Sequence, residues 1–298
     1  MSQVVLITGS SSGFGRDTAV QLARRRHHVF ATMRDTKGRN VQARREIETI
    51  ARDEKLKLDV LDLDVTSDDS AQHAVDTAMR HAGRLDVVVN NAGYAALGVT
   101  EAFTTEQFQQ MFDVNVFGVQ RVNRAAVPAM RAQGRGLLVH VSSAAGRVTV
   151  PTMAAYCASK FALEALADAY RYELLPFGIN SVIVEPGIYR TPIFDRIAGP
   201  ADRARAEAYA GHDFAARVQA VFQAVSGAPD NPGTREVVDA LVRLIEMDNA
   251  ARPFRTVVSD AIRPLLEPYN AAADGLRPIV AQIFNVPELA GAVPRPGA

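Results

Sequence analysis

Tyr156 and Lys160, four residues apart, are the pair in this chain best suited to moving a proton. At that spacing on a helix the two side chains share one face. An ammonium beside a phenol favours the phenolate, so the Tyr156 pKa is expected to fall from about 10 toward neutral pH. The lysine is unusual by type. Only four lysines occur (37, 55, 57 and 160), and the other cations are arginine. An ammonium, unlike a guanidinium, has a pKa that its surroundings can move. Lys160 opens the apolar helical run Lys-Phe-Ala-Leu-Glu-Ala-Leu-Ala, whereas the other three lie among polar residues. Ordinary helix packing is the competing explanation, although seven tyrosines and four lysines in 298 residues give only about 0.1 chance occurrences. Alone, the pair leaves both readings open.

A second set of residues suits a phosphate. Val4 to Ile7 runs into Thr8-Gly9-Ser10-Ser11-Ser12-Gly13-Phe14-Gly15 and then a helical pattern. Glycines at a strand-to-helix turn let the main chain approach a pyrophosphate, and the helix start offers free N–H groups. The spacing is Gly-x-x-x-Gly-x-Gly, so a simple tight turn is the blander reading. A third reading is the nucleophile elbow of a serine hydrolase, Gly9-x-Ser11-x-Gly13. It requires a later acid and histidine, and beyond residue 140 the only histidine is His212, in a stretch punctuated by glycine and proline. At the end of the second strand stands Ala31-Thr32-Met33-Arg34-Asp35. A free ribose 2′-hydroxyl calls for an acidic partner there and a 2′-phosphate for a cation. Arg34 therefore favours NADP(H), with NAD(H) possible, and Asp35 competes as a surface partner for Arg34.

These residues need a scaffold. Short β-branched runs (Val4 to Ile7, Val29 to Met33, Leu56 to Val60, Leu85 to Val89, Leu137 to Val141, Asn180 to Val184) alternate with amphipathic stretches. The latter include Arg16 to Arg25, Ser70 to His81, Thr105 to Met130 and Ala155 to Leu175. Continuous apolar strands between helices predict an α/β fold, a Rossmann-like doubly wound parallel sheet covered on both faces. Residues 1–189 read as a nucleotide-binding and catalytic core and 190–233 as a substrate lid with an alanine- and arginine-rich helix. Residues 234–259 read as a last helix (Val237 to Met247) and strand (Phe254 to Val258). The extension 260–298 carries Pro264, Pro268, Pro278, Pro287, Pro294 and Pro296, which predict short helices and a disordered end. One domain is the expectation.

Composition narrows the partners. Formal net charge is zero, with 33 basic and 33 acidic residues, so no global field draws nucleic acid. The single cysteine rules out an internal disulfide, and no metal-ligand spacing occurs. No signal-like segment and no apolar run of about 18 residues is present, which predicts a cytoplasmic protein without a membrane span.

Taken in order along the chain, the glycine turn, Asp64-Val65, Asn90-Asn91-Ala92-Gly93, Asn115, Ser142-Ser143, Tyr156 with Lys160, and Pro186-Gly187 followed by Thr191 resemble the short-chain dehydrogenase/reductase family. Val29 to Asp35 and Tyr156 to Gly178 resemble its 17β-hydroxysteroid and retinol dehydrogenase branch. The resemblance implies hydride transfer between a nicotinamide cofactor and a ketone or alcohol, with Tyr156 as general acid or base. It implies that Asn115 holds a water relaying protons to Lys160, and that Ser143, rather than Ser142, bonds the substrate oxygen. Gly9, Ser11, Ser12, Gly13, Phe14 and Gly15 would hold the pyrophosphate end. Asp64 and Val65 would meet the adenine, and Asn91, Ala92 and Gly93 would support the cofactor from the strand end. Pro186, Gly187, Ile188 and Thr191 would orient the nicotinamide.

Val148, Val150, Met153, Ile188, Tyr189, Ile193 and Phe194 are the apolar candidates for a lipophilic substrate wall, steroid- or retinoid-like. Tyr94 and His140 read as packing residues and the other histidines as surface. By analogy a homo-oligomer, dimer or tetramer, is expected through the long helices after residues 104 and 155. A non-catalytic nucleotide sensor or scaffold on the same fold is the alternative function.

Overall fold

The computed structural model describes residues 2–193, 197–212 and 214–286; Phe194 and the prolines from 287 onward lie outside them. Seven strands form one all-parallel sheet: β1 (Val4–Ile7), β2 (His28–Met33), β3 (Leu58–Asp62), β4 (Val87–Asn90), β5 (Gly136–Val141), β6 (Ile179–Pro186) and β7 (Arg255–Val258). Their order is β3-β2-β1-β4-β5-β6-β7. The chain winds outward from β1 to β3 and then returns to lay β4 on the other side of β1. The carboxyl ends of β1 and β4 therefore flank the crevice where such sheets bind ligands.

Both faces are covered, which is why the strands read as unbroken apolar runs. Val5 and Ile7 pack against Leu22 of α1 (Gly13–Arg24) and Leu241 of α9 (Arg235–Glu246). Leu6, between them, faces Val75 of α3 (Asp68–Ala82) and Val122 of α5 (Gly118–Gln133). That alternation is the two-residue period of a strand, with apolar partners waiting on either side. The remaining helices are α2 (Val41–Asp53), α4 (Thr105–Phe112), α6 (Ala154–Leu174), α7 (Arg203–Glu207), α8 (Phe214–Gly227), α10 (Arg263–Asp274) and α11 (Arg277–Ile283).

The sequence reading is corrected in four places. It did not single out α2, whose one fully buried residue is Ile47; with so thin an apolar stripe, the helix rests on its docking to β3. The single helix expected over Thr105 to Met130 is divided by a π-helical turn, Asp113–Phe117. The extra residue turns Asn115 inward, the usual result of such a bulge. Helix α10 runs through Pro268. Proline removes one main-chain bond, but buried Leu266 and Asn270 and a 3.1 Å Asp274–Arg255 ion pair hold the turn. His27 is buried, not on the surface, accepting from the Gln3 N–H at 3.1 Å and meeting Glu246 at 3.2 Å. Among the described residues no helix is long and apolar enough to cross a membrane.

His140 on β5 is packed as expected, fully enclosed beside Asn90 and 3.2 Å from the Ser181 hydroxyl. Burial pushes its pKa down from 6.5 to about 3. The folded state thus keeps the imidazole neutral while the unfolded chain takes up a proton. Its contribution to stability is complete above pH 6.5 and is lost as pH falls toward about 3. His140→Gln is expected to lose less of its urea midpoint than the wild type between pH 7 and pH 4.5; equal losses would contradict this origin of the acid sensitivity.

Candidate active site

At the carboxyl ends of β1, β4, β5 and β6 the sheet opens into one cavity of about 960 Å³. Its narrow floor is the glycine turn. Gly9 has φ +70°, and a methyl there would lie 2.8 Å from the Ala92 Cα. Only glycine combines that conformation with so close a pass between two chain segments. The β1 and β4 ends are laced together above it: the Thr8 hydroxyl accepts from the N–H groups of Asn91 and Ala92, both at 3.0 Å. The Asn91 side chain donates back to the Thr8 and Gly9 carbonyls at 2.9 and 3.1 Å. Ser12 precedes α1 in an extended conformation and makes no side-chain cap, so the first-turn N–H groups keep their donors for another partner.

Ser11, Ser12, Gly13 and Phe14 line the cavity, but Gly15 does not. Gly15 lies beneath, where a methyl would meet Asn91 at 2.5 Å and the Gly9 carbonyl at 2.6 Å. Thr191, nearly 180 residues along, closes over Gly13, and Pro186, Gly187 and Ile188 bring the end of β6 to the same wall. His212 is outside the cavity lining, stacked on Phe214 at 6.0 Å. The hydrolase reading of Ser11 therefore lacks its base.

At one end Met33, Arg34, Asp64 and Val65 line the cavity, joined by Arg39 and Asn40, which the sequence reading missed. Asp35 does not pair with Arg34. Its carboxylate accepts the Arg39 main-chain N–H at 2.8 Å, and the Asn40 amide holds the Arg34 carbonyl at 2.6 Å. The loop is thus fixed while the Arg34 guanidinium stays exposed, without a hydrogen bond or ion pair among the described residues. Burial opposes ionisation of Asp64, but the Thr66 N–H and hydroxyl at 3.0 and 2.7 Å, with the charges of Arg34 and Arg121, hold its carboxyl below the usual range.

Tyr156, Lys160 and Ser143 meet at the other end. Helix α6 crosses the end of β5, and the Lys160 ammonium donates to the Val141 carbonyl at 2.8 Å. It lies 5.8 Å from the centre of the Tyr156 ring. The Ser143 hydroxyl lies beside the phenol and favours its ionised form, and Ser142, nearly fully buried, borders the same cavity. Here the expected direction of the tyrosine shift is reversed. Burial pushes the phenol up to about 12, opposed by the bond to Ser143. The same burial pushes Lys160 down to about 8. Both groups lose water together, and at this separation desolvation outweighs their mutual effect. Tyr156 in the free protein is therefore a protonated donor.

Asn115 is not on the cavity wall. Its amide oxygen accepts the Tyr94 N–H at 3.1 Å, and its nitrogen donates to the Tyr94 carbonyl and the Ser159 hydroxyl, both at 3.0 Å. Gly93 separates it from the lysine: a methyl there would lie 3.1 Å from the Asn115 oxygen and 3.9 Å from the Lys160 nitrogen.

The apolar wall contains Val148, Val150, Met153, Tyr189 and Ile193. Its opposite side is Val218, Val221 and Phe222 of α8, inside the stretch from 188 to about 230 expected to line the pocket, together with Ile262 before α10, which lies outside that stretch. The three-and-four spacing of these apolar residues marks one face of α8 as the lining face. Tyr189 is partly a strut, since its hydroxyl donates to Glu236 at 2.6 Å.

Residues 3–200 match the family described as short chain dehydrogenase. A 3-ketodihydrosphingosine reductase of Bacteroides thetaiotaomicron is 36% identical over 193 residues, 65% of this chain and 66% of that protein. Human 17-beta-hydroxysteroid dehydrogenase type 1 is 34% identical over 271 residues, 88% of this chain and 79% of that one. Among solved structures, a short-chain dehydrogenase from Streptomyces avermitilis superposes with a TM-score of 0.76 at 29% identity, covering 96% of this chain and 98% of that chain.

Proposed function

The chain belongs to the short-chain dehydrogenase family, and from that premise we propose that it is an NADP(H)-dependent oxidoreductase interconverting a lipophilic ketone or aldehyde and its alcohol. One observation carries the reading: a phenol, an ammonium and a serine hydroxyl share a single cavity with a glycine-lined helix start and an unpaired guanidinium. The residues fit a dinucleotide. The Gly9 crossing leaves room for a pyrophosphate against main-chain N–H groups, and Arg34 offers a bidentate cation for a 2′-phosphate. Asp64 and Val65 would flank the adenine. Asn91, Ala92 and Gly93 would back the cofactor, and Ile188 and Thr191 would hold its far ring.

When bound, a reduced nicotinamide supplies the hydride. Ser143 and Tyr156 hold the carbonyl oxygen of the substrate, and the Tyr156 hydroxyl gives that oxygen its proton as negative charge develops there. Lys160, kept in place by the Val141 carbonyl, lies near enough to stabilise the phenolate left behind. Asn115 holds the Tyr94 turn and thereby the wall beside Lys160; in the proposed relay its amide orders a water behind the lysine. In the reverse direction Tyr156 accepts the proton of an alcohol.

The substrate class is supported by the apolar wall formed by residues 148–153 and α8, and by relatives whose names specify a steroid and a long-chain sphingoid ketone. The segment 190–233 acts as the lid. Asn231 ties its end, donating to the Ile188 carbonyl at 3.3 Å and the Val225 carbonyl at 3.0 Å. A second copy of the chain is expected against the helices after residues 104 and 155, where Phe117 of the π-helical turn and Phe161 of α6 stand exposed.

The test is NADPH consumption with estrone, all-trans-retinal and 3-ketodihydrosphingosine, beside a small polar ketone. Turnover of a lipophilic ketone or aldehyde well above the polar ketone is the expected result. NADPH binding with no turnover of any of these carbonyl compounds would instead favour a nucleotide-sensing role.

A further inference from the structure

Beyond the cavity, one turn further along α6 than Lys160, lies a closed group of charges that the proposed reaction does not use. Glu164 follows Lys160 by one helical turn and is almost fully buried. Arg255 of β7, also buried, donates to it at 3.0 Å. Glu185 of β6, wholly enclosed, lies 3.7 Å from Arg255 and 3.9 Å from Arg147, and accepts from Asn270 of α10 at 2.6 Å. Arg255 reaches outward to Asp168 at 3.7 Å and Asp274 at 3.1 Å, and Arg277 meets Asp274 at 2.9 Å. Packing is close: a methyl on Gly146 would sit 2.7 Å from the Ser142 hydroxyl and 3.2 Å from Glu164. One oxygen each of Glu164 and Glu185 is buried without a hydrogen-bond partner.

Burying charge without full compensation is costly, so this group needs an account. The two carboxyls are unequal. Glu185 is pushed up to about 7 by burial and by the charge of Glu164. Burial raises the Glu164 carboxyl too, but the charge and hydrogen bond of Arg255 oppose that rise, so Glu185, which also meets the charge of Glu164, is the more readily protonated of the two. Lys160 is faced by the Tyr156 ring on its own helix, the Val141 carbonyl from β5 and the Gly93 turn backed by Asn115. None of these carries a negative charge. Among the described residues the charge acting on Lys160 is that of Glu164, and it opposes the desolvation that would strip the ammonium of its proton.

We propose that Glu164 is a positioning residue for the reaction: from the next turn of α6 its carboxylate keeps Lys160 an ammonium ion in a site too dry to do so unaided. The inference rests on the role given to Lys160 above and adds the group that sets its charge.

The four lysines of the chain allow a direct test, because [ε-13C]lysine labelling gives four resonances and the one missing from Lys160→Met belongs to Lys160. In the wild type that resonance is expected to titrate near pH 8. In Glu164→Gln, which keeps the shape and an acceptor for Arg255, the midpoint is expected to fall by about one pH unit, a tenfold change in the protonation equilibrium. The alkaline limit of NADPH consumption with estrone, or with whichever ketone of the panel is turned over, moves down with it. Should Glu164→Gln not fold, Glu164→Met combined with Arg255→Met removes the pair as two apolar side chains, and a fall in the same direction is expected, smaller because a cation leaves with the carboxylate. An unchanged Lys160 midpoint in a folded variant, with Tyr156→Phe inactive, overturns this inference alone. Full activity of Tyr156→Phe overturns the catalytic reading instead, whatever Lys160 does.

Discussion

Tyr156→Phe is expected to lower ketone reduction by roughly 10²–10⁴-fold, the usual worth of a positioned acid or base, while leaving NADPH affinity within about twofold. The substitution removes one hydroxyl from a ring that is otherwise packed, with only 9% of the residue exposed, so the fold loses little. Its chemical loss is large because the alternatives are poor donors here. Ser143 also hydrogen-bonds the Ala145 N–H, and Cys157 is turned away, its sulfur accepting the Val150 N–H. With the phenol pushed up to about 12, reduction has its proton in place across the neutral range. Alcohol oxidation needs the phenolate, so its rate should climb with pH over the range in which Tyr156→Phe stays flat. NADPH absorbance at 340 nm follows turnover, and fluorescence of the bound nucleotide follows affinity. A variant within tenfold of the wild type in turnover would mean that another group donates the proton.

Arg34→Ala is expected to weaken NADPH binding by about 10- to 100-fold and NADH binding by no more than about twofold. A hydrogen bond to a charged group contributes about 1.5–3 kcal/mol, and about 1.4 kcal/mol is a factor of ten. The loop around Arg34 leaves this guanidinium for a ligand: Asp35 is engaged by the Arg39 N–H, and the Asn40 amide fixes the Arg34 carbonyl. Arg39 lines the same end of the cavity, so Arg34→Ala with Arg39→Ala should widen the gap between the two nucleotides further. Fluorescence titration of the two reduced cofactors measures both affinities. Equal losses for NADPH and NADH would remove the 2′-phosphate as the partner of Arg34.

The scaffold was legible because a strand buried on both faces has to be apolar throughout. Val4 to Ile7 and Leu137 to Val141 could be read as strands on that ground alone, and their alternation with amphipathic helices required a parallel sheet. Boundaries slipped where composition is ambiguous. The strand expected at Leu56 to Val60 lies at Leu58–Asp62, two residues on, since only pairing with β2 sets where a polar-flanked run begins. Helix α2 escaped notice because almost none of it is buried, and the π-helical turn at Asn115 because an inserted residue leaves no mark in periodicity.

The residues that could do chemistry, and their order along the chain, were determined by the sequence itself, because Tyr156 and Lys160 are local to one helix and the glycine turn to one loop. Tertiary structure decided everything that depends on which groups share a space and how much water reaches them. It set Arg34 free of Asp35, put Asn115 behind the cavity wall, and chose which face of α8 turns to the cavity. It reversed the direction of the Tyr156 shift and placed Glu164 and Glu185 together from different elements. Proximity of residues far apart in the chain and the cost of desolvation are properties of the packed molecule, and no local spacing encodes them.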